Sequence, residues 1–386
     1  MNALQSQQLI KKETYYPYID SLRAISCFFV IIFHSYTIAH IRDVEKSTLF
    51  QGGYIGVDLF FVLSGFLITK NSINQYISKG TFKIGTFYLK RILRLYPPLL
   101  IATLIFLVPL LFYNSSFALS NAFFLLTYTG DCVLLFQKIW SSLQYPSMFS
   151  HCWSLAVEEQ YYLIFPLLFI YITKKFWLKR NITTTFPLFN IVFLALVILL
   201  ALYMDGHFYK FFLWRFFQIF FGGYIAFFFS KNYLKTAKET KFSKAIVRFI
   251  SAAYKSHIIA VAALFIFFII FIFSISFDIG KIQLHYFILT LISSIIIFNA
   301  YSGENWFYKK LLNNKALMYL GKISYGLYLF HSPVFYFKTF NIFKIPTTLQ
   351  GSIFIDIVSI ITTIILAVIS YEVVEKRTLS YKNTLA

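Results

Sequence analysis

The sequence predicts an all-α fold, a polytopic membrane helix bundle of about ten transmembrane helices with both termini in the cytoplasm. Three observations predict it. Of 386 residues, 59% are hydrophobic and only 13% charged, against roughly 25% charged in a soluble domain. Apolar runs long enough to cross the bilayer, about 20 residues at ~1.5 Å each, recur along the chain. The cations fall between those runs with a one-sided bias.

The first span, 20–40, follows a stretch holding Lys11 and Lys12 and carries Arg23 and His34 without a small-residue cleavage site, so it is not a removable signal peptide. The others are expected at 54–70, 92–113, 153–173, 186–204, 208–230, 256–275, 283–300, 317–337 and 351–372. Segment 117–139 is apolar but broken at Thr127–Asp131, and is expected to be interfacial or re-entrant.

With the N-terminus inside, the inner loops collect Lys11 and Lys12; Lys70, Lys79, Lys83, Lys90, Arg91 and Arg94; Lys174, Lys175, Lys179 and Arg180; the basic run Lys231–Lys255; Lys309, Lys310, Lys315 and Lys322; and Lys376, Arg377 and Lys382. The outer loops hold only Arg42, Lys46, Lys138, Lys210, Lys281, Lys338 and Lys344. The N-terminal stretch matches its outer neighbour at two cations, and every later inner loop outweighs its outer neighbours, the bias that sets orientation.

A formal charge of +20 does not indicate nucleic acid, because the cations punctuate apolar runs rather than gather on one soluble face. Most loop lysines are expected to touch anionic lipids. Cys27, Cys132 and Cys152 have no metal-ligand spacing, so neither a metal site nor a disulfide framework is indicated. One integral-membrane domain over 1–386, with no appended soluble domain, accounts for the chain.

A charged side chain near the bilayer centre costs roughly 2.5–3.5 kcal/mol, so such residues pair across the bundle or line a water-filled path. In this map they are Arg23, His34, Asp58, Glu158, Glu159, Arg215 and His331. Eleven helical steps separate Arg23 from His34, returning to within ~20° of the same face ~16 Å further along. Arg23 is then expected near the cytoplasmic surface and His34 in the outer half, in one layer with Asp58, Glu158, Glu159, Arg215 and His331. A neutral imidazole oriented by a carboxylate can take a proton from an alcohol. His34 is the candidate base, and Asp58 and the Glu158–Glu159 pair are the candidate carboxylates.

On the cytoplasmic side, Arg91 and Arg94 lie three apart in YLKRILRLYPP and share a helix face. Guanidinium forks suit phosphate oxygens, so the pair is a candidate seat for a phosphorylated donor. In GGYIGVDLFFVLSGFLIT, Gly56, Ser64 and Gly65 are expected to serve close helix packing, with substrate lining as the alternative.

The chain resembles the membrane acyltransferase-3 family, whose members acylate bacterial cell-envelope polysaccharides and some small glycosides. The resemblance rests on YIDSLRAISCFFVIIFH, GGYIGVDLFFVLSGFLIT, YLKRILRLYP, HCWSLAVEEQYYLIFP, KISYGLYLFHSPV and YEVVEKR, in order along residues 15–377. It implies a ten-helix core and an acyltransferase of groups other than aminoacyl, an acetyl-CoA-dependent O-acetyltransferase. The donor, acetyl-CoA or another acyl-CoA, would act from the cytoplasmic face of the bacterial inner membrane. The acceptor would be a saccharide hydroxyl of a polysaccharide, lipopolysaccharide or other glycoconjugate, free or lipid-linked. The resemblance implies a catalytic role for His34 with Arg23 as its motif partner, and points to Asp58, Arg91, Arg94, Glu158 and Glu159 as functionally required. The candidate catalytic residues are thus His34, Asp58, Glu158 and Glu159, and the candidate substrate or acyl-CoA-binding residues Arg23, Arg91, Arg94, Ser64, Tyr161 and His331. The rival expectation is a transporter or flippase for a lipid-linked glycan, since buried charges also mark transport paths.

Overall fold

The structure, a computed structural model, describes residues 16–112, 114–131, 148–177, 212–230, 241–275, 278–279, 282–337 and 348–384. The described part is helical apart from one two-stranded hairpin, β1 (Asp278–Ile279) with β2 (Ile282–Gln283). Five helical stretches are long and apolar enough to cross a membrane: Gln51–Lys79, Ile84–Leu111, Ser150–Lys175, His285–Ser302 and Leu349–Ser380. Two bent pairs raise this to seven if each pair is one span. The chain is a multi-pass membrane protein. The predicted span 186–204 and Cys132 lie outside the described residues.

The first predicted span is bent rather than straight. Helix α1 (Pro17–Phe33) ends with His34 as its C-cap, and α2 (Tyr36–Asp43) departs at 49°. Ser35 makes the break possible. Its hydroxyl accepts the Ile38 N–H at 3.2 Å, meeting one of the donors that a new helix start leaves open.

Helix α3 (Ile55–Lys79) enters through the 3₁₀ turn Gln51–Tyr54. Helix α4 (Ile84–Ala102) follows and continues through a π-turn at Thr103–Leu107 to Leu111. The interfacial expectation at 117–139 meets α5 (Ser115–Thr127), whose 13 residues reach only ~20 Å at ~1.5 Å each. It ends where Tyr128 turns left-handed (φ 53°); residues 132–139 lie outside the described set.

Next come α6 (Trp153–Ile172), α7 (Phe212–Phe228), α8 (Lys241–Lys255), α9 (His257–Phe273) and α10 (Leu284–Ser302). They are followed by α11 (Trp306–Leu312), α12 (Lys315–Lys322), α13 (Ser324–Phe337) and α14 (Leu349–Ser370), which runs on through Tyr371–Glu375 into α15 (Lys376–Thr384). The predicted span 317–337 is therefore two helices that meet at Ile323.

Helix α3 organises the centre, and glycine explains how. A Cβ at Gly65 would fall 1.7 Å from the Ile219 carbonyl oxygen, and one at Gly222 would fall 2.0 Å from that of Val62. Helices α3 and α7 therefore touch backbone to backbone, the close approach that small residues permit in membranes. At the same crossing Asp58 Oδ1 accepts from Arg215 Nη1 at 2.6 Å and from Gln218 Nε2 at 2.8 Å. Gln218 also donates to Thr290 on α10 at 3.1 Å. Asp58 and Arg215 are fully buried; their ion pair joins α3 to α7, and Gln218 extends the network to α10.

Candidate active site

The face of α3 turned away from α7 lines a cavity of about 580 Å³, within the ~300–1,000 Å³ common for ligand pockets. Val57, Phe60, Ser64, Leu67, Ile68, Asn71, Gln75, Ser78 and Lys79 all contribute, and their three-to-four spacing is one helical stripe. Val57 and Lys79, both in the lining, are 22 residues apart. That is about 33 Å of helix, close to the ~30 Å of bilayer hydrocarbon.

The cavity is cationic. Arg23 comes from α1, Lys79 from α3, and Lys90, Arg91 and Arg94 from α4, against the two carboxylates of Glu158 and Glu159 on α6. Arg91 lies with its guanidinium 3.5 Å from the Tyr162 ring centroid, a cation–π contact. Ser64 and the Tyr162 hydroxyl both donate to Oε1 of Glu158. Arg23 is held from behind by Asp20 at 3.0 Å.

At the Val57 end the lining includes Ser154 and Tyr328, whose hydroxyls are 2.6 Å apart. Tyr328 also donates to the His151 carbonyl oxygen at 2.9 Å. His151 and His331, each three residues along the chain from these wall residues, form with His34 a cluster of three histidines that is not part of the lining. The His151 and His331 rings are 4.6 Å apart, and those of His34 and His331 are 5.2 Å apart. Among the described residues no group of three or more His, Cys, Asp or Glu side chains has the geometry to hold a metal ion.

The hydrogen bonds of this cluster assign its tautomers. His331 Nδ1 lies 2.6 Å from the Tyr328 carbonyl oxygen, which can only accept, so Nδ1 carries the proton. In a neutral imidazole Nε2 is then a bare acceptor. It lies 3.2 Å from His34 Nδ1, which must be the donor. That leaves His34 Nε2 with its lone pair, on a side chain that is exposed while His331 is fully buried. The arrangement can accept a proton at one defined atom.

A family model described as an acyltransferase domain matches residues 16–372. The chain belongs to the acyltransferase-3 family. O-acetyltransferase OatA of Staphylococcus aureus strain NCTC 8325 / PS 47 is 28% identical over 367 residues, covering 94% of this chain and 57% of its own length. Putative O-acetyltransferase SACOL0978 of Staphylococcus aureus strain COL is 26% identical over 383 residues, covering 97% of this chain and 59% of its own length. The chain thus spans less than three fifths of these curated relatives. No solved structure matches it.

In this acyltransferase-3 chain, six of the predicted residues share the cavity: Arg23, Ser64, Arg91, Arg94, Glu158 and Glu159. Ser64 is a lining residue, while its neighbour Gly65 does the packing. The single outer layer expected from the sequence separates into three groups. Asp58 is committed to Arg215 rather than offered to His34, because positions 58, 62 and 65 form the α7-facing stripe of α3. Glu158 and Glu159 join the arginines. Seven residues of helix beyond His151 carry Glu158 about 10 Å along α6, out of the histidine level. His331, grouped above with substrate or acyl-CoA binding, meets His34.

Tyr161 lies outside the cavity. It is buried among Tyr162, Phe165 and Phe216, whereas Tyr162 lines the cavity. The signal was present in the spacing, since Glu158 and Tyr162 are four apart and share a face. His151 was also missed, although it opens the motif HCWSLAVEEQ, and its seven-residue separation from Glu158 is two helical turns.

Proposed function

We propose that the chain is a membrane-bound O-acyltransferase, in practice an O-acetyltransferase, that moves an acyl group from cytoplasmic acyl-CoA to a saccharide hydroxyl of a cell-envelope polysaccharide or glycoconjugate. It would act in the bacterial inner membrane, with about ten spans and both termini inside, as the loop charges indicate. The observation that carries this reading is the one cavity running the length of α3. Cations at Arg23, Lys79, Lys90, Arg91 and Arg94 suit a polyanionic phosphorylated donor at the end bounded by Lys79. The wall at Ser154 and Tyr328 stands beside the histidines at the other. Five cations against two carboxylates suit a donor with several phosphate charges.

In this reading His34 Nε2 takes the proton of the acceptor hydroxyl as its oxygen attacks the thioester carbonyl. The C–O bond forms, the C–S bond breaks, and the imidazolium returns the proton to the departing thiolate. His331 holds His34 in the required tautomer, and the Tyr328 carbonyl holds His331. The relatives named as O-acetyltransferases support the group transferred and the class of atom that receives it.

Purified protein in detergent, given acetyl-CoA labelled in the acetyl group and a pool of envelope glycans, should transfer label to glycan. Absence of transfer, together with movement of unmodified glycan across vesicles containing the protein, would overturn the assignment.

A further inference from the structure

We infer that Asp356, on the last long helix, is a positioning residue that sets the orientation of His34. The inference rests on the proposed role of His34 as the base.

His34 sits at a helix break. A new helix begins at Tyr36, and the N–H groups of its first turn have no partners within it. Ser35 takes the Ile38 N–H. The other two go to a residue some 320 positions away: Asp356 Oδ1 accepts from the Tyr36 N–H and Oδ2 from the Thr37 N–H, each at 2.8 Å. Asp356 is 6% exposed, within the apolar stretch IFIDIVSI. A carboxylate there is costly unless compensated. Two charge-assisted bonds and the positive end of α2 supply the compensation.

The consequence for the site is geometric. Tyr36 and Thr37 are two and three residues from His34, so the α14 carboxylate fixes the backbone on which the imidazole is mounted. The Tyr36 hydroxyl reinforces this by donating to the Phe335 carbonyl oxygen at 2.6 Å, one turn beyond His331 on α13. The two members of the His34–His331 pair are therefore set by neighbouring helices, α13 carrying one and α14 gripping the chain beside the other. The intramembrane charge survey of the sequence passes over Asp356, yet this residue clamps the bend that aims the base.

The test uses the full chain purified in detergent. Asp356→Asn is isosteric, but its amide can accept only one of the two N–H groups and turns an NH₂ toward the other. Misplacing a reacting group by about 1 Å costs on the order of 10²-fold in rate. Asp356→Ala is therefore expected to lower kcat by about that factor and Asp356→Asn by about 10-fold, with KM for acyl-CoA within about twofold of wild type because the cationic cavity is untouched. Hydrogen exchange should show loss of protection confined to the amides of residues 36 and 37.

A variant Asp356→Asn with wild-type kcat overturns the inference, as does one whose donor KM rises in step with the loss of kcat. If Asp356→Ala does not accumulate in the membrane, Asp356→Asn decides alone. His34→Ala, assayed alongside, separates the two readings. If it stays active, the base assignment fails whatever Asp356 does; if it is inactive while Asp356→Asn is fully active, only the positioning role fails.

Discussion

The bond between His34 Nδ1 and His331 Nε2 makes a quantitative prediction for His331→Ala. That 3.2 Å contact joins two neutral groups, and a bond of this kind is worth about 0.5–1.5 kcal/mol net. Removing it withdraws the preference for the tautomer that carries the proton on Nδ1, lowering the productive population by about 2–13-fold. His34→Ala removes the base itself, a loss of about 10²–10⁴-fold, or roughly 2.7–5.5 kcal/mol of barrier.

Because His331 acts only through His34, the double variant should be no slower than His34→Ala alone, the non-additivity expected of residues working as a unit. His331→Gln, whose side-chain oxygen can accept from Nδ1–H, should recover most of the lost turnover. The assay is single-turnover acyl transfer from labelled donor by monodisperse purified variants, so that misfolded protein is excluded. A double variant whose loss equals the product of the two single losses would show that the histidines act independently and would refute the relay.

Arg91→Ala and Arg94→Ala should each raise KM for acyl-CoA by about 13–160-fold, the equivalent of one charge-assisted contact of about 1.5–3 kcal/mol. Lys174→Ala and Lys175→Ala, outside that cavity, should leave KM unchanged, and equal losses at all four would indicate a diffuse field. Gly65→Ala should deplete folded protein, because its Cβ would lie 1.7 Å from the Ile219 oxygen and overpacking costs about 1–3 kcal/mol or more; size-exclusion profiles of detergent extracts would show it. Arg215→Ala strands a fully buried Asp58 and should destabilise the protein by about 3–5 kcal/mol, read as a lowered Tm, whereas the exposed Arg42→Ala should have little effect. A reporter active only outside the cytoplasm, fused after Ala386, should be silent; activity there would reverse the proposed orientation.

The sequence by itself determined the membrane class, the position of most described helices and most of the costly residues, Asp356 being the one the charge survey passed over. Hydropathy and the expense of intramembrane charge are local properties that need no knowledge of the partner. Arg91 and Arg94 three apart could be read because helical periodicity assigns faces within one element, whereas Ser64 and Gly65, both expected to pack, were separated only by the structure. Partnership across helices could not. The sequence offered Asp58 to His34 because both lay at a similar expected depth, but only the rotation of α3 against α7, set by Gly65 and Gly222, turns Asp58 toward Arg215.

Tyr161 and Tyr162 are adjacent in sequence and differ by ~100° around the helix, so depth alone could not choose between them; the placement of Arg91 and Ser64 did. The break after His34 was hidden because its stabilising groups come from Ser35 and from Asp356, more than 300 residues downstream. Sequence listed most of the residues that had to be satisfied, and tertiary structure added Asp356 and decided which of them satisfied one another. A hydrogen bond between helices depends on rotation and register, and those are set by packing that no single segment contains.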